Sequence, residues 1–355
     1  MYDIIFRGSE GFMLKKITLL ILSTNLSLSL LSGCSLATKK IVYTVYPVGY
    51  LLKEIAGDTI MIESLQTDTI VQRANIAEDY QVVLEDASLF LHIGALEPYI
   101  SLYSNEIRSY GIETLDLSLK NSIYEFKRYT RGVVDGENVY TTSAYYKGDA
   151  FKTIDTNEKD LYLWTDPISM VSMAREIKNW LQDKYPEDAA YYEENFEELE
   201  SNLILLDAQY TSLSNKLKEE NKSIKFVSMT ASFGNWQRTY GIQVYPVILS
   251  KYGVLPNDLQ LEAIKQRIVE DGVKYIVNEP NMTEDMKELY DQLVEELGLK
   301  TVELSNLSSL SVTQKSSNMD YLTIMYENLA QLEVMASANS NLDDYLDDEV
   351  LYEEN

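Results

Sequence analysis

The sequence predicts an α/β protein of two lobes with mainly parallel sheets, joined by one long rigid helix. Three observations carry that reading. Apolar or aromatic side chains at Tyr192, Phe196, Leu199, Leu203, Leu206, Tyr210, Leu213 and Leu217 recur three and four apart, the spacing of one helical stripe. Strand and helix patterns alternate on both sides of that stripe, as parallel sheets covered by helices require. The chain has 355 residues, enough for two hydrophobic cores.

The linking helix is predicted from Pro186 to about Asn221. Pro186 suits a first turn, Glu187, Asp188, Glu193 and Glu194 put negative charge at the end the helix dipole favours, and Lys216 and Lys218 sit at the other end. About 36 residues would span roughly 54 Å, more than the width of a small domain, so the helix crosses both lobes. The stripe would equally suit a coiled-coil seam. The α/β pattern on its flanks argues instead for lobes to lie against.

In chain order, Ile41 to Val45 reads as a strand, and Pro47 opens a helix that ends at Gly57. Thr59 to Leu65 is a strand, Asp79 to Asp86 a helix, and Leu89 to Ile93 a buried strand closed by Gly94; Glu97 and Pro98 then begin a helix. Between Tyr124 and Lys159 the periodicity fades, and the segment, rich in tyrosine, reads as a long loop or irregular hairpin. Asp166 is suited to cap a helix that starts at Pro167 and runs to about Asp183. Beyond the linking helix come a strand at Ile224 to Ser228, helices at Phe233 to Tyr240 and Leu259 to Asp271, and a strand at Val273 to Asn278. A helix at Thr283 to Leu297, capped by Gly298, a strand at Lys300 to Leu304 and a helix at Tyr321 to Met335 complete the second lobe.

The ends read differently. From Met13 two lysines precede an apolar, hydroxyl-rich run that closes on Leu31, Ser32, Gly33 and Cys34, the layout of a secretory signal. Leu-Ser-Gly-Cys also resembles the bacterial lipoprotein box, in which the cysteine is lipidated. The expected division is a signal peptide over 1–33 with its true start at Met13 and a lipidated tether over 34–40. An N-terminal lobe over 41–183, the linking helix over 184–222 and a C-terminal lobe over 223–336 follow. The last part, 337–355, is an acidic flexible tail.

Composition narrows the function. The formal charge is −26, from 30 basic and 56 acidic residues, and it repels phosphate backbones, so no nucleic-acid partner is expected. One cysteine and one histidine leave no internal disulfide, no Cys/His zinc cluster and no multi-histidine site. His92, inside an apolar strand, reads as a core or strand-end residue with one hydrogen bond. No Gly-x-Ser-x-Gly elbow and no glycine-rich phosphate loop occurs, and the chain is not expected to be an enzyme. The 27 tyrosines read first as surface and core filler, and otherwise as an aromatic cleft that stacks on an organic ligand or a partner protein.

Several pieces, in order, resemble the solute-binding lipoproteins of zinc and manganese ABC importers, the metal-binding cluster 9 type. They are Val45-Tyr46-Pro47 with Glu54 to Asp58, Ile93 to Tyr99, Tyr162 to Pro167, Ser232-Phe233-Gly234, and Lys274 to Ile276 with Glu279-Pro280. The resemblance implies two lobes around a rigid helix, a ligand between them, a permease partner and a monomer lipid-anchored at Cys34 on the outer face of the cell membrane. It also implies that the family's metal ligands, three histidines and an acid or two of each, fall at Glu78, Tyr162, Thr230 and Ser305. None of the four is histidine. At neutral pH that set offers one carboxylate and no imidazole, so a degenerate metal site is expected. Glu97, Asp166 and Glu279 are the acids that could join Glu78 on a divalent zinc or manganese ion. Two functions follow: ligand delivery to an importer, or a surface adhesin or partner-binding lipoprotein that kept the scaffold.

Overall fold

The computed structural model describes residues 39–66, 70–134, 137–145, 147–156 and 159–338. The signal peptide, Cys34 and the acidic tail beyond Ala338 lie outside them. No helix among the described residues is long and apolar enough to cross a membrane.

The first half is strand-helix alternation: β1 (Lys40–Tyr43), α1 (Tyr46–Ala56), β2 (Met61–Ser64), α2 (Tyr80–Leu84), β3 (Leu89–His92), α3 (Pro98–Ser109) and β4 (Glu113–Asp116). The strands form one parallel sheet in the order β2-β1-β3-β4. α1 buries Val48, Leu51, Leu52 and Ile55 and ends where Gly57 takes a φ of 54°, a turn that glycine makes without a Cβ penalty. The segment expected to be irregular is ordered as two small antiparallel pairs. β5 (Tyr124–Glu125) pairs with β8 (Lys159–Asp160), and between them β6 (Lys127–Val134) pairs with β7 (Glu137–Ala144) as a regular hairpin.

α4 (Pro167–Lys184) starts as expected, with the Asp166 carboxylate accepting from Ile168 N–H at 3.0 Å. The long helix, α5 (Ala189–Glu219), follows a 3₁₀ turn at Pro186–Asp188. Its 31 residues span about 46 Å, shorter than the sequence suggested because Pro186 opens a tighter turn and Asn221 reverses the chain with a φ of 52°. All eight residues of the stripe are buried. They face helices of the same chain, α1 and α4 on one side, so no coiled-coil partner is needed.

The second half runs β9 (Lys225–Thr230), α6 (Gly234–Tyr240), β10 (Gln243–Ile248), α7 (Asp258–Glu270), β11 (Tyr275–Asn278), α8 (Glu284–Leu297), β12 (Lys300–Glu303), α9 (Val312–Ser316) and α10 (Tyr321–Ala338). Its strands repeat the first sheet's pattern, in the parallel order β10-β9-β11-β12. α5 also packs on α6 and α10. The Tyr210 hydroxyl donates to Met325 O at 2.7 Å, and Asn195 Nδ2 donates to Ile55 O at 3.0 Å. One continuous core therefore runs from Ile41 and Leu91 of the first sheet along the α5 stripe to Phe226 and Val277 of the second.

Candidate ligand-binding cleft

In parallel α/β sheets, functional side chains collect where the strands end at their carboxyl side, because the loops there are free to vary. Both sheets obey this and direct those ends to one region. Thr44 follows β1, Gln72 lies in the 3₁₀ turn Val71–Arg73 after β2, and Glu97 lies between β3 and α3. Thr230 ends β9, Glu279 follows β11 and Asn306 follows β12. Tyr162 arrives from the short pair β5-β8.

Tyr162 is buried, and desolvation moves its phenol well above the usual value, with Glu279, Asp160 and Glu97 adding repulsion. Its main chain is fixed by Asp160, whose carboxylate accepts from Tyr162 N–H at 2.9 Å and from Asn235 N–H and Nδ2 at 2.8 and 3.0 Å. Burial pushes the Asp160 carboxyl up to about 7. The turn that presents Asn235 is strained: Phe233 has a φ of 64°, unusual for an aromatic residue, and is held there by packing against Phe226 and Trp236.

A second network closes the floor. Glu279 accepts from Thr230 N–H at 3.0 Å, from the Thr230 hydroxyl at 2.5 Å and from Asn306 Nδ2 at 2.8 Å. Its carboxyl is raised by burial against the lowering effect of these donors. Thr230 Oγ1 also contacts Ser232 Oγ at 2.9 Å. Trp164 Nε1 donates to Asn306 O at 2.6 Å and ties the two halves across the cleft.

The first half supplies the remaining side. Glu97 is fully enclosed and pushed up to about 7 by desolvation; the Thr44 side chain lies near enough to lower it, without hydrogen-bond geometry. Gln72 stands in the same relation to Tyr162. Gln72, Leu96, Lys159, Leu161, Tyr162, Ala231, Leu249, Ser250 and Lys251 line a cavity of about 10 Å³. Beside it Arg73 crosses to the second half. Its guanidinium makes a two-pronged pair with Asp285, both distances 2.8 Å, and donates to Gly253 O at 2.7 and 3.0 Å and to Thr283 Oγ1 at 2.9 Å.

Of the four residues the family pattern pointed to, Tyr162 and Thr230 lie in this cleft, linked through Glu279. Glu78 is exposed, in the turn ahead of α2. The buried residue beside Tyr162 on that side is Gln72, six positions earlier, and no sequence pattern marks it. Ser305 is buried, but its N–H donates to Asn328 Oδ1 and its hydroxyl accepts from Leu307 N–H; the side chain that reaches Thr230 and Glu279 is its neighbour Asn306. Among the supplementary acids, Glu97 and Glu279 are in the cleft, whereas Asp166 caps α4. His92, at the end of β3, contacts Gly94 O at 3.1 Å and stacks on Phe90. Among the described residues no three His, Cys, Asp or Glu side chains group as metal ligands would.

Comparison with known proteins identifies the scaffold. A family model described as ZnuA, zinc-uptake complex component A, periplasmic, matches residues 41–335. The zinc-binding lipoprotein AdcA of Streptococcus pneumoniae serotype 4 is 24% identical over 328 residues, 90% of this chain and 61% of that protein. The zinc-binding protein AdcA of Streptococcus pyogenes serotype M1 is 26% identical over 175 residues, 49% of this chain and 33% of that one. The matched stretch thus spans about a third to three-fifths of the AdcA proteins. The high-affinity zinc uptake system protein ZnuA of Bacillus subtilis is 22% identical over 294 residues, 82% of this chain and 86% of that one. In structure, the Zn(II)-bound ZnuA-like domain of Streptococcus pneumoniae AdcA aligns with a TM-score of 0.61 at 21% identity, covering 84% of this chain and 98% of that domain. The zinc-binding protein TroA of Treponema pallidum gives 0.64 at 15%, covering 83% and 98%. With its family match over most of the length and two parallel sheets on one long helix, the chain belongs to the ZnuA family, a family of solute-binding transport proteins and not of enzymes.

Proposed function

We propose that this chain is the ligand-capturing component of an ABC importer, held outside the membrane by a lipid on Cys34 and delivering its ligand to a membrane permease. Its cleft is a histidine-free version of the family's metal site. The observation that carries this reading is the convergence of buried polar groups from both sheets, Gln72, Glu97, Tyr162, Thr230, Glu279 and Asn306, at the strand ends of a ZnuA-family scaffold. The AdcA and ZnuA relatives are named for zinc, and zinc favours nitrogen and sulfur donors, of which this cleft has none. Capture of zinc is therefore expected to be weak, and a different ligand is expected to move through the same route.

The test is deletion of the gene in the bacterium that makes the protein, followed by uptake of labelled zinc, manganese and calcium and by complementation with the native chain and with Cys34→Ala. A loss of uptake of one ion that the native chain restores, together with release of the Cys34→Ala protein into the medium, is the expected result. Unchanged uptake of all three would overturn the import reading. The absence of every histidine from the cleft favours a second reading, a surface adhesin or partner-binding lipoprotein. It would gain if deletion left uptake intact and reduced attachment to host matrix.

A further inference from the structure

A second cavity, of about 490 Å³, shares no lining residue with the small one beside Tyr162. Tyr43 at the end of β1, Tyr46 at the start of α1 and Gln66 just after β2 line it from the first half, and Ser308 and Lys315, the latter in α9, from the second. Its volume falls in the range of roughly 300–1,000 Å³ typical of small-molecule sites, far more than one ion or water needs. The walls are set before any ligand arrives. Gly49 makes room for the Tyr43 ring, which a Cβ there would overlap. The Tyr46 ring lies 6.4 Å from that of Tyr50, which stacks on Tyr321 at 5.4 Å, and Tyr46 N–H donates to Ser308 O at 3.3 Å. Burial, then the Asp320 and Glu54 carboxylates, push the Tyr46 phenol up, so it stays a proton donor at neutral pH. Gln66 Oε1 accepts from the Tyr99 hydroxyl at 3.2 Å, which leaves the amide NH₂ as a donor for a ligand.

The geometry points to a site for a small organic anion with a flat ring, the ring against Tyr43 and Tyr46 and the carboxylate met by the Gln66 amide and Lys315. This rests on the importer reading for the fate of the ligand, and it supplies the chemical class which that reading left open. Charge decides the sign. In a chain of formal charge −26, no Asp or Glu among the described residues lines this cavity, whereas a lysine does. The groove of about 290 Å³ between α1 and α5 has the opposite lining, with Glu54, Asp58 and Glu198 against one Lys53. Tyrosine faces also attract cations, but a cation here would meet Lys315 with no carboxylate in the wall to offset it. The phenols, the amide and the ammonium are all donors, and a carboxylate is the acceptor that suits them. The site is also wired to the cleft: the Ser308 hydroxyl donates to Asn306 Oδ1 at 2.9 Å, and Asn306 Nδ2 donates to Glu279 at 2.8 Å.

The experiment is ligand-observed NMR and titration calorimetry of the full-length chain with five probes at millimolar concentration. Benzoate and indole-3-acetate carry a ring and a carboxylate, benzylamine a ring and a cation, benzyl alcohol a ring and no charge, and acetate a carboxylate and no ring. The expected result is one site for the first two, with the other three weaker by about fivefold or more. Lys315→Glu, on an exposed residue, and Tyr46→Ala should each weaken indole-3-acetate by about fivefold or more. Lys53→Glu, which makes the same charge change in the other groove, should leave binding as it is. No binding of either ring carboxylate, benzylamine binding as tightly as benzoate, or a folded Lys315→Glu variant that binds like the native chain would each overturn the proposal. The two readings fail separately. Lost ion uptake on gene deletion with no probe bound would keep the importer and remove this site, and bound probes with uptake unchanged would do the reverse.

Discussion

At Gly234 a methyl group would meet the Phe126 ring at 2.8 Å and Asp160 Cβ at 3.1 Å. The absence of a side chain there lets the start of α6 come down onto the carboxylate that orients Tyr162. Gly234→Ala should therefore destabilise the protein by about 1–3 kcal/mol, the usual range for overpacking a filled interior, measured by urea denaturation. A neutral result would mean that Phe126 can rotate aside. The Ser-Phe-Gly run was visible in the sequence, whereas the reason for its glycine was not, because Phe126 and Asp160 come from distant parts of the chain. The same gap separates the cleft's residues by legibility. Tyr162 could be placed because Trp164, Asp166 and Pro167 set its register. Gln72 and Asn306 could not, since one lies in a short irregular turn and the other one step from the residue that register favoured.

Among the elements, the turn at Val71–Arg73 and the start of α8 are joined by one ion pair. The Arg73 guanidinium beside Asp285 holds its carboxyl below the usual carboxylate range. A depressed folded value stabilises the native state fully above the unfolded value of about 4, and that contribution is lost as the pH falls through the folded value. Asp285→Asn should lower the urea midpoint by a constant amount above about pH 5 and flatten its decline in acid. An acid limb as steep in the variant as in the native protein would contradict this. The pair is partly exposed, so salt should also shrink the difference. The two strands of the parallel sheets that the sequence pattern did not disclose, β4 and β10, are both at sheet edges. β4 is short and largely exposed, so it lacks an apolar run. β10 carries Pro246, which cannot donate to a ladder and which sequence reasoning takes as a sign against a strand; an edge tolerates it.

For the whole molecule, the fold class was legible because the α5 stripe and the strand-helix alternation are periodic, and a periodic pattern is repeated over many residues. The core that this stripe joins belongs to both halves, so they should melt together. Calorimetry should show a single transition with equal calorimetric and van't Hoff enthalpies, and Leu206→Ala, in the buried middle of α5, should lower it by about 2–5 kcal/mol without splitting it. Two separated peaks would show that the halves fold as independent units.

α5 also limits how the molecule can let go of what it holds. It is fastened to Ile55 near one end and to Met325 further along, so a wide jaw-like swing would have to bend a helix against packing on both flanks. Exchange of an occupant is then left to small local yielding: a turned phenol ring, a slackened turn around Gln72, an arginine briefly off its carboxylate. On the importer reading proposed above, such a splint would slow the escape of a ligand, and a permease surface that pried at those few contacts would be what triggers its release.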